Sequence, residues 1–304
     1  MRIFVTGVAG QLGHDVMNEI YKKGHFGIGS DIHDKYSGIK DESAVTLMPY
    51  TKLDITNKEK TERVITNSNP DTVIHCAAWT AVDAAEELDN IEKVKAVNVE
   101  GTKNIAEVCK KINCKMIYIS TDYVFNGHGT EPWKPDCKDY APLNVYGQSK
   151  LDGELAVSSI LEKYFIVRIA WAFGKSGKNF VKTMLNAGKK FSTVKVVNDQ
   201  FGTPTYTHDL SKLLVNMAES EKYGYYHATN EGGYISWYDF ACEIFNQAGY
   251  TTNVIPVTTA EYGLSKAVRP FNSRLENHKL VKNGFKPLPV WQDALSRYLK
   301  EIEY

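Results

Sequence analysis

The sequence predicts an α/β fold, a doubly wound parallel sheet with a smaller, interleaved C-terminal α/β lobe. In the first half, short runs rich in β-branched residues alternate with longer amphipathic stretches, in the order strand, helix, strand, helix. From Ala172 onward this alternation becomes irregular. A chain of 304 residues is long enough for two lobes. We therefore expect one domain at residues 1–170 and a second lobe at residues 171–304, some of whose segments return to the first domain.

The elements of the first domain follow in a regular order. The predicted strands are residues 3–6, 27–31, 72–78, 116–121 and 164–171. The predicted helices are residues 11–23, 58–67 and 91–112, followed by one that carries the segment YGQSK. Such an order is typical of a parallel sheet with helices on both faces.

The second lobe is predicted to be mixed. Helical patterns cover residues 179–187 and 210–219, and a short strand covers residues 194–197. A further helix starts at Ser236, where Asp239 at the third helical position is typical of a capping box. We expect a substrate-binding lobe that packs tightly on the first domain and leaves a cleft between them for the ligand.

Charge and cysteine content exclude several classes of protein. Lysine plus arginine equals aspartate plus glutamate at 36 each, so no overall field favours nucleic acid or an anionic membrane. No apolar stretch approaches the roughly 18 residues of a membrane helix, and the first residues do not resemble a signal peptide. Five cysteines without CxxC spacing argue against a disulfide framework and a zinc site. We expect a cytoplasmic protein.

A glycine-rich turn follows the first predicted strand. The segment VTGVAGQLG places Gly7, Gly10 and Gly13 between that strand and the first helix. Glycines permit a tight turn and a close approach to a pyrophosphate, which the N–H groups and dipole of the helix N-terminus stabilise. The segment predicts a dinucleotide site on a Rossmann-type sheet. A glycine-rich connection without a ligand is the alternative.

An acidic residue ends the second predicted strand. Asp31 lies about 20 residues beyond the turn, where a carboxylate accepts hydrogen bonds from the adenosine ribose 2′-hydroxyl. Its position favours NADH slightly over NADPH. His33 and Lys35 lie close by and are able to tolerate a 2′-phosphate, so both cofactors stay open. A plain surface acid is the other interpretation of Asp31.

The segment NVYGQSK contains the candidate reacting group. Tyr146 and Lys150 stand at positions i and i+4 and share one face of the predicted helix. A free tyrosine has a pKa of about 10, and a neighbouring ammonium lowers this pKa by favouring the tyrosinate. Taken alone, such a pair is typical of any solvated helix.

The strand before this helix favours a catalytic role for Tyr146 and Lys150. The run MIYIST ends in Ser120 and Thr121, which a parallel sheet brings to its carboxyl edge, where ligands bind. A hydroxyl there is able to hold a substrate carbonyl while Tyr146 protonates the developing alkoxide and a nicotinamide supplies hydride. These residues together predict carbonyl reduction.

Further segments carry a resemblance to a known family. The spacing GxxGxxG at Gly7, Gly10 and Gly13 is similar to that of the extended short-chain dehydrogenase/reductase family. Within it, nearly the whole chain resembles the dTDP-4-dehydrorhamnose reductases, in the segments GQLG, HCAAWTAVDAAE, STDYVFNG, P.NVYG.SK..GE, VRIAWAFG, NFVKTML, VVNDQFGTPTYTHDL and RPFNSRLEN. The resemblance implies reduction of the C4 ketone of dTDP-4-dehydro-L-rhamnose by NADH or NADPH.

The resemblance also implies roles for individual residues. It makes Thr121 the hydroxyl partner, Tyr146 the general acid, and Lys150 the group that tunes Tyr146 and holds the nicotinamide ribose. It implies cofactor contacts at Gly7, Gly10, Gln11, Leu12, Gly13, Asp31, Asp54, Ile55, Cys76, Ala77, Ala78, Asn98, Tyr146 and Lys150. It implies contacts with the dTDP-sugar at Thr80, Val82, Asp122, Tyr123, Trp171, Asn179, Gln200 and Arg269, the last beside its phosphates. The residues themselves leave open a surface ion pair for Arg269 and a core aromatic for Trp171.

Two other functions stay open at this point. A non-catalytic regulatory subunit like that of methionine adenosyltransferase has a similar fold, although the presence of Thr121, Tyr146 and Lys150 argues against it. A nucleotide-sugar epimerase or dehydratase is the other, since Asp122 lies beside Thr121.

The C-terminal acids raise the question of a metal ion. Glu301 and Glu303 are compatible with a magnesium ion that bridges a homodimer, as in some relatives, but a solvated helix end is the favoured interpretation. We predict no metal site and leave a homodimer open.

Overall fold

The structure, a computed structural model, describes residues 1–302. The strands are β1 Arg2–Thr6, β2 Phe26–Asp31, β3 Tyr50–Lys52, β4 Thr72–His75, β5 Lys115–Thr121, β6 Tyr164–Ile169, β7 Ala172–Phe173, β8 Thr193–Val197, β9 Phe201–Gly202, β10 Thr205–Tyr206, β11 Gly224–His227, β12 Asn230–Glu231, β13 Ile235–Ser236, β14 Asn253–Val257 and β15 Leu288–Val290. The α-helices are α1 Gln11–Lys22, α2 Lys58–Ser68, α3 Val82–Ala85, α4 Leu88–Lys95, α5 Thr102–Lys111, α6 Val145–Ile160, α7 Phe180–Gly188, α8 Thr207–Ala218, α9 Trp237–Ala248, α10 Thr259–Tyr262, α11 His278–Lys282 and α12 Trp291–Glu301.

Seven parallel strands form the central sheet. Their order is β11-β6-β5-β4-β1-β2-β3, and each neighbouring pair is parallel. The chain reverses its direction of winding between β1 and β4, so a crevice opens there beyond the carboxyl ends of the strands. The predicted doubly wound Rossmann-type sheet is confirmed.

Helices cover both faces of this sheet. On one face α1 and α8 pack against it through a buried cluster that includes Val16, Ile20 and Leu214. On the other face α2, α5 and α6 bury Ile65, Ile105 and Val157, among others. Because both faces are covered, the strands read as nearly continuous apolar runs, as parallel strands do.

The predicted helix at residues 91–112 is interrupted. The segment Ala96–Gly101 forms a wider π turn between α4 and α5. A side chain at Gly101 would place its Cβ 2.7 Å from Ile55, so this turn lies tightly against the loop after β3. Apolar periodicity does not reveal a one-residue insertion of this kind, and π turns are frequent at functional sites.

The second lobe has its own apolar core. The strands β8 and β14 pair in parallel, and α7, α9 and α12 bury a cluster that includes Leu185, Phe240 and Leu295. The capping box predicted for α9 is confirmed, since the Ser236 hydroxyl accepts from the Asp239 N–H while the Asp239 carboxylate accepts from the Ser236 N–H. This reciprocal pair satisfies two backbone donors at the helix start.

Within residues 1–302, no helix combines the length and apolar character needed to cross a bilayer. Over the same range, no group of three or more His, Cys, Asp or Glu side chains is arranged to hold a metal ion. Glu301 lies in the last turn of α12 and accepts a hydrogen bond from Tyr206, whereas Glu303 lies outside the described residues.

Candidate active site

The glycine turn leaves no room for a side chain at Gly7 or Gly13. Gly7 has a φ of +72°, and a Cβ there would lie 2.7 Å from the Ala77 nitrogen. A Cβ on Gly13 would lie 2.2 Å from the Gly7 oxygen. Gly10 caps α1 without a side chain, so the first N–H groups of the helix have no side-chain acceptor from the cap. The turn and the helix start therefore fit the pyrophosphate of a dinucleotide.

Asp31 lies beside the same turn. Its carboxylate accepts hydrogen bonds from the Ala9 N–H at 3.0 Å and the Ile32 N–H at 2.8 Å. Gln11 and Leu12 occupy the first two positions of α1. The acid thus helps to shape the turn, and its remaining lone pairs are available to ribose hydroxyls.

The loops after β3 and β4 line the crevice from the other side. Asp54 is exposed and accepts from the Thr56 N–H at 3.0 Å, and Ile55 is buried. Residues 76–78 follow β4 and are half-buried. Burial raises the pKa of the Cys76 thiol to about 12, so this thiol is neutral and behaves as an apolar group.

Asn98 connects the loop after β4 to the helix α6. Its side-chain oxygen accepts from the Trp79 N–H at 2.8 Å, and its amide nitrogen donates to the Trp79 oxygen at 3.1 Å and to the Ser149 hydroxyl at 2.9 Å. The π turn at residues 96–101 carries this buried side chain. Asn98 therefore acts on the site by fixing the elements around it.

The helix α6 begins with a side-chain cap. The Asn144 oxygen accepts from the Gly147 N–H at 2.7 Å, which satisfies one donor of the first turn. Tyr146 lies in that turn, and its phenol forms a hydrogen bond with Thr121 at the end of β5. The ring of Tyr146 meets that of Tyr123 edge to face at 5.6 Å. The structure thus brings together the hydroxyl partner and the general acid that the sequence predicts.

The pKa of Tyr146 differs from the prediction. Burial of the phenol, followed by the nearby Asp122 carboxylate, raises this pKa above its ordinary value, while the hydrogen bond with Thr121 lowers it. The expected lowering by Lys150 is not found. Desolvation outweighs the i,i+4 relationship because a buried phenol loses the water that would stabilise its anion.

Lys150 lies deeper in the protein than a solvated helix position. Its ammonium nitrogen lies 4.1 Å from the centre of the Tyr118 ring, and the side chain is buried. Burial lowers the pKa of Lys150 to about 7, while the charge of Glu154 acts in the opposite direction. This pKa places the ammonium close to its titration range at neutral pH.

Asp122 is a buried acid next to both hydroxyls. The Thr121 hydroxyl donates to one Asp122 oxygen at 3.0 Å. Burial raises the pKa of Asp122 to about 6, although hydrogen bonds from Ser273 and Thr121 oppose this. A carboxyl group with such a pKa exchanges a proton easily near neutral pH.

A cavity of about 320 Å³ opens between the two lobes. It combines aromatic and apolar side chains with two cations, one acid and one amide. Its lining is Asp83, Phe180, Met184, Lys195, Val196, Val197, Gln200, Trp237, Thr259, Tyr262, Leu264, Ser265 and Arg269. Flat apolar walls with fixed cations suit a ligand that joins a planar base to a diphosphate.

Two of the predicted substrate residues line this cavity. Gln200 donates to the Thr259 hydroxyl at 3.0 Å. Arg269 donates to both carboxylate oxygens of Asp83, at 3.0 and 2.8 Å, so the ion pair left open by the sequence is present. Val268, next to Arg269, accepts a hydrogen bond from Asn144, which caps the helix that carries Tyr146, so the cavity adjoins the reacting centre.

Other predicted substrate residues are placed differently. Trp171 stacks on Trp237 at 3.8 Å and so supports the cavity wall from behind. Thr80 is exposed in the loop after β4, and Val82 begins α3.

The side chain of Asn179 is used within the protein. Its amide nitrogen donates to Gln11, to the Gly174 oxygen and to the Tyr298 hydroxyl, each at 2.9 Å. Its oxygen caps α7 by accepting from the Lys182 N–H. Asn179 thus joins the two lobes, and it is absent from the cavity lining.

Sequence reasoning did not identify several cavity residues. These are Asp83, Lys195, Trp237 and Tyr262. Asp83 stands one position after Val82 in the segment TAVDAAE. A carboxylate beside a predicted substrate residue was the signal that could have identified it. The others come from segments whose relation to the site depends on the packing of the second lobe.

A larger cavity of about 540 Å³ lies elsewhere, among residues such as Thr203, Glu231 and Asn277. Its lining includes none of the predicted substrate residues, whereas that of the smaller cavity includes Gln200 and Arg269. We therefore place the active site at the smaller cavity.

The fold and this geometry define the class of nicotinamide-dependent short-chain dehydrogenases/reductases. A dinucleotide turn, a hydroxyl at a strand end and a tyrosine and lysine on one helix meet at the carboxyl edge of a parallel sheet. Comparison with known proteins makes the assignment narrower. The model of the RmlD substrate binding domain family matches residues 1–304, and the chain belongs to that family.

Individual relatives agree with this assignment. The dTDP-4-dehydrorhamnose reductase of Aggregatibacter actinomycetemcomitans is 36% identical and covers 97% of each chain. The spore coat polysaccharide biosynthesis protein SpsK of Bacillus subtilis is 33% identical, over 99% of this chain and 97% of its own. A crystal structure of dTDP-4-dehydrorhamnose reductase from Bacillus anthracis in complex with NADP has a TM-score of 0.89 at 37% identity, over 99% of each chain.

Proposed function

We propose that this chain reduces the C4 ketone of dTDP-4-dehydro-L-rhamnose to the alcohol of dTDP-L-rhamnose, with NADH or NADPH as the reductant. The observation that carries this proposal is the hydrogen-bonded pair of Thr121 and Tyr146 beside a cavity suited to a nucleoside diphosphate. Membership of the RmlD substrate binding domain family and 36% identity to a dTDP-4-dehydrorhamnose reductase support the choice of substrate.

The cofactor site is proposed at the crevice beyond β1 and β4. The Gly7 to Gly13 turn and the start of α1 would hold the pyrophosphate, Asp31 the adenosine ribose, and Lys150 the nicotinamide ribose. The relative bound to NADP shows that a similar chain accepts the phosphorylated cofactor. When bound, the reduced nicotinamide supplies a hydride to the carbonyl carbon.

The protein's own groups then act on the carbonyl oxygen. In the free protein the Thr121 hydroxyl donates its proton to Asp122, and we propose that it turns this proton to the substrate carbonyl and so orients it. The Tyr146 phenol donates its proton to the oxygen as negative charge develops there, so the ketone gains one hydride and one proton. The raised pKa of Tyr146 keeps the phenol protonated before the reaction, as a general acid requires.

The cytoplasm is the compartment that we propose for this reaction. All five cysteines are free thiols, and none is paired with another within the described chain. Free thiols persist in a reducing compartment.

The reaction is tested by mixing the purified chain with dTDP-4-dehydro-L-rhamnose and either NADH or NADPH and following the absorbance of the reduced nicotinamide. We expect one equivalent of cofactor to be oxidised per ketone, and Tyr146→Phe to lower kcat by about 10² to 10⁴. Tyr21→Phe, on the exposed face of α1, is the matched control.

Two results would contradict the proposal. If the ketosugar changes without net consumption of cofactor, the protein is an epimerase or a dehydratase. If Tyr146→Phe and Tyr21→Phe both retain full activity, Tyr146 is not the proton donor.

A further inference from the structure

An irregular segment, the strap (residues 263–270), forms one wall of the cavity. It follows α10 without helical or strand structure. Leu264, Ser265 and Arg269 of the strap line the cavity, and Leu264 is 77% exposed. A segment without backbone pairing of its own depends on side chains from elsewhere for its position.

One carboxylate holds most of this strap. Asp83 on α3 accepts hydrogen bonds from the Lys266 N–H and the Ala267 N–H, both at 3.1 Å. It also accepts from both terminal nitrogens of Arg269, at 3.0 and 2.8 Å. Asp83 therefore fixes two backbone positions of the strap and the direction of its arginine.

The strap is also joined to the catalytic helix. Asn144, which caps α6, donates from its amide nitrogen to the Val268 oxygen at 2.8 Å. Glu86, three residues after Asp83, accepts from the Val145 N–H at 2.8 Å. The end of α3 thus contacts both the strap and the first turn of the helix that carries Tyr146.

A carboxylate in the wall of a cavity for a diphosphate needs an explanation. An unpaired acid would repel the ligand, since like charges at close range are unfavourable. Asp83 is not unpaired, because its two oxygens already accept four hydrogen bonds from the strap. Asp83 is therefore placed to hold Arg269, the cation that would bind the diphosphate.

We propose that Asp83 is a positioning residue for the nucleotide-sugar, which acts by holding Arg269 and the strap in the orientation that receives the diphosphate. The inference rests on the proposed function, because it assigns a diphosphate to this cavity. Arg269 keeps further N–H donors when Asp83 occupies its two terminal nitrogens, since a guanidinium has five. A fixed fork loses less side-chain entropy on binding than a mobile one.

A neighbouring ion pair provides the matched control. Glu87, which immediately precedes α4, accepts from the Lys266 ammonium of the strap at 2.8 Å. These side chains are 48% and 62% exposed, respectively, and neither lines the cavity. This pair has the same charges and nearly the same place in the fold, but it does not touch the arginine.

The test is the binding of dTDP by titration calorimetry, together with steady-state kinetics. We expect Asp83→Asn to raise the Kd of dTDP and the KM of the ketosugar about tenfold, the effect of losing a charge-assisted bidentate pair. The kcat and the Kd of NADPH should stay within about twofold, and Glu87→Gln should leave all four quantities unchanged within about twofold. Asp83→Asn and Arg269→Gln should be strongly non-additive in dTDP affinity, because the first acts through the second.

The opposite result has a clear meaning. If Asp83 only competes with the ligand for Arg269, then Asp83→Asn tightens dTDP binding, and the inference is overturned. Unchanged binding overturns it as well. Absence of dTDP binding by the wild-type chain would overturn both the inference and the proposed function, whereas wild-type binding with an unaffected Asp83→Asn variant overturns the inference alone.

A second measurement needs no variant to fold. Hydrogen exchange of the strap amides in the wild-type protein should slow when dTDP is added, while that of α2 should not change. An exchange rate in residues 263–270 that does not respond to dTDP would count against a strap that takes part in binding.

Discussion

At the scale of single residues, burial decides the chemistry of the site. Asp122, Tyr146 and Lys150 all have pKa values shifted toward their neutral forms, and desolvation is the largest cause for each. At neutral pH the Tyr146 phenol is therefore neutral, whereas Asp122 and Lys150 lie close to their titration ranges. Such groups exchange protons with a substrate at a smaller electrostatic penalty than permanently charged ones.

The raised pKa of Asp122 has a measurable consequence for the stability of the protein. Its folded pKa of about 6 lies above the ordinary value of 3.8, so its ionised form destabilises the fold. The penalty is absent below about pH 4, grows as the pH rises through 6, and is complete above it. Asp122→Asn should therefore gain up to about 3 kcal/mol of unfolding free energy relative to wild type between pH 4 and pH 8.

Urea unfolding at these two pH values measures the difference. The exposed Asp139→Asn is the control, and we expect no comparable trend for it. A constant difference between Asp122→Asn and wild type at both pH values would show that Asp122 is ionised without penalty.

The sequence predicted which residues form the site, but it did not predict the environment that shifts their pKa values. It placed Thr121 at a strand end and Tyr146 on the following helix, and the structure joins the two by a hydrogen bond. It did not predict the raised pKa of Tyr146, because helical spacing contains no information about desolvation. It also missed Asp83, whose partner Arg269 lies 186 positions away along the chain.

At the scale of elements, short sequence patterns predicted the structure correctly where that structure depends only on residues close together in the chain. The capping box of α9 depends on two residues three positions apart, and the structure contains both of its hydrogen bonds. The interruption of the helix predicted at 91–112 was not foreseen, because the π turn depends on the fit of Gly101 against Ile55. The short strands of the second lobe were missed, as β9, β10, β12 and β13 have only two residues each.

Gly10, just before α1, and Gly13, in the first turn of α1, have different requirements. A Cβ on Gly13 would lie 2.2 Å from the Gly7 oxygen, whereas a Cβ on Gly10 would lie 3.3 Å from it. Gly13→Ala should destabilise the fold by about 3 kcal/mol, since backbone atoms have to move. Gly10→Ala should cost less than about 1 kcal/mol but weaken NADPH binding at least tenfold, because its methyl group occupies the approach of the pyrophosphate.

Urea unfolding and a fluorescence titration with NADPH separate these effects. The two variants serve as controls for each other, since they change the same residue type in one turn. Equal loss of affinity and of stability in both would mean that the turn has a structural role only.

At the scale of the whole molecule, a buried ion pair joins several elements. Arg168 on β6 donates to both oxygens of Glu154 on α6, at 2.8 and 2.7 Å, and both side chains are fully buried. Arg168 also donates to the Pro135 oxygen and the Tyr140 hydroxyl. Burial and the charge of Arg168 lower the pKa of His227 on β11, so this imidazole is neutral.

Removal of one partner leaves the other charge buried. Glu154→Gln should destabilise the protein by about 3 to 5 kcal/mol, because Arg168 then has no counter-ion. Glu92→Gln, in the exposed pair with Lys95, should stay within about 0.5 kcal/mol of wild type. Urea unfolding checks both, and an effect of Glu154→Gln as small as that of Glu92→Gln would show that Arg168 is solvated by other groups.

The strand β11 connects the second half of the chain to the central sheet. Residues 224–227 come from the second half of the sequence, yet they pair with β6 and form the outer edge of the central sheet. Without them, β6 would present a row of unpaired N–H and C=O groups above the buried Phe165, Ile166 and Val167. Such an edge is a template for pairing with another chain. The C-terminal half therefore protects the N-terminal half from self-association, and a fragment that ends near residue 170 would contain the complete dinucleotide turn but would tend to aggregate.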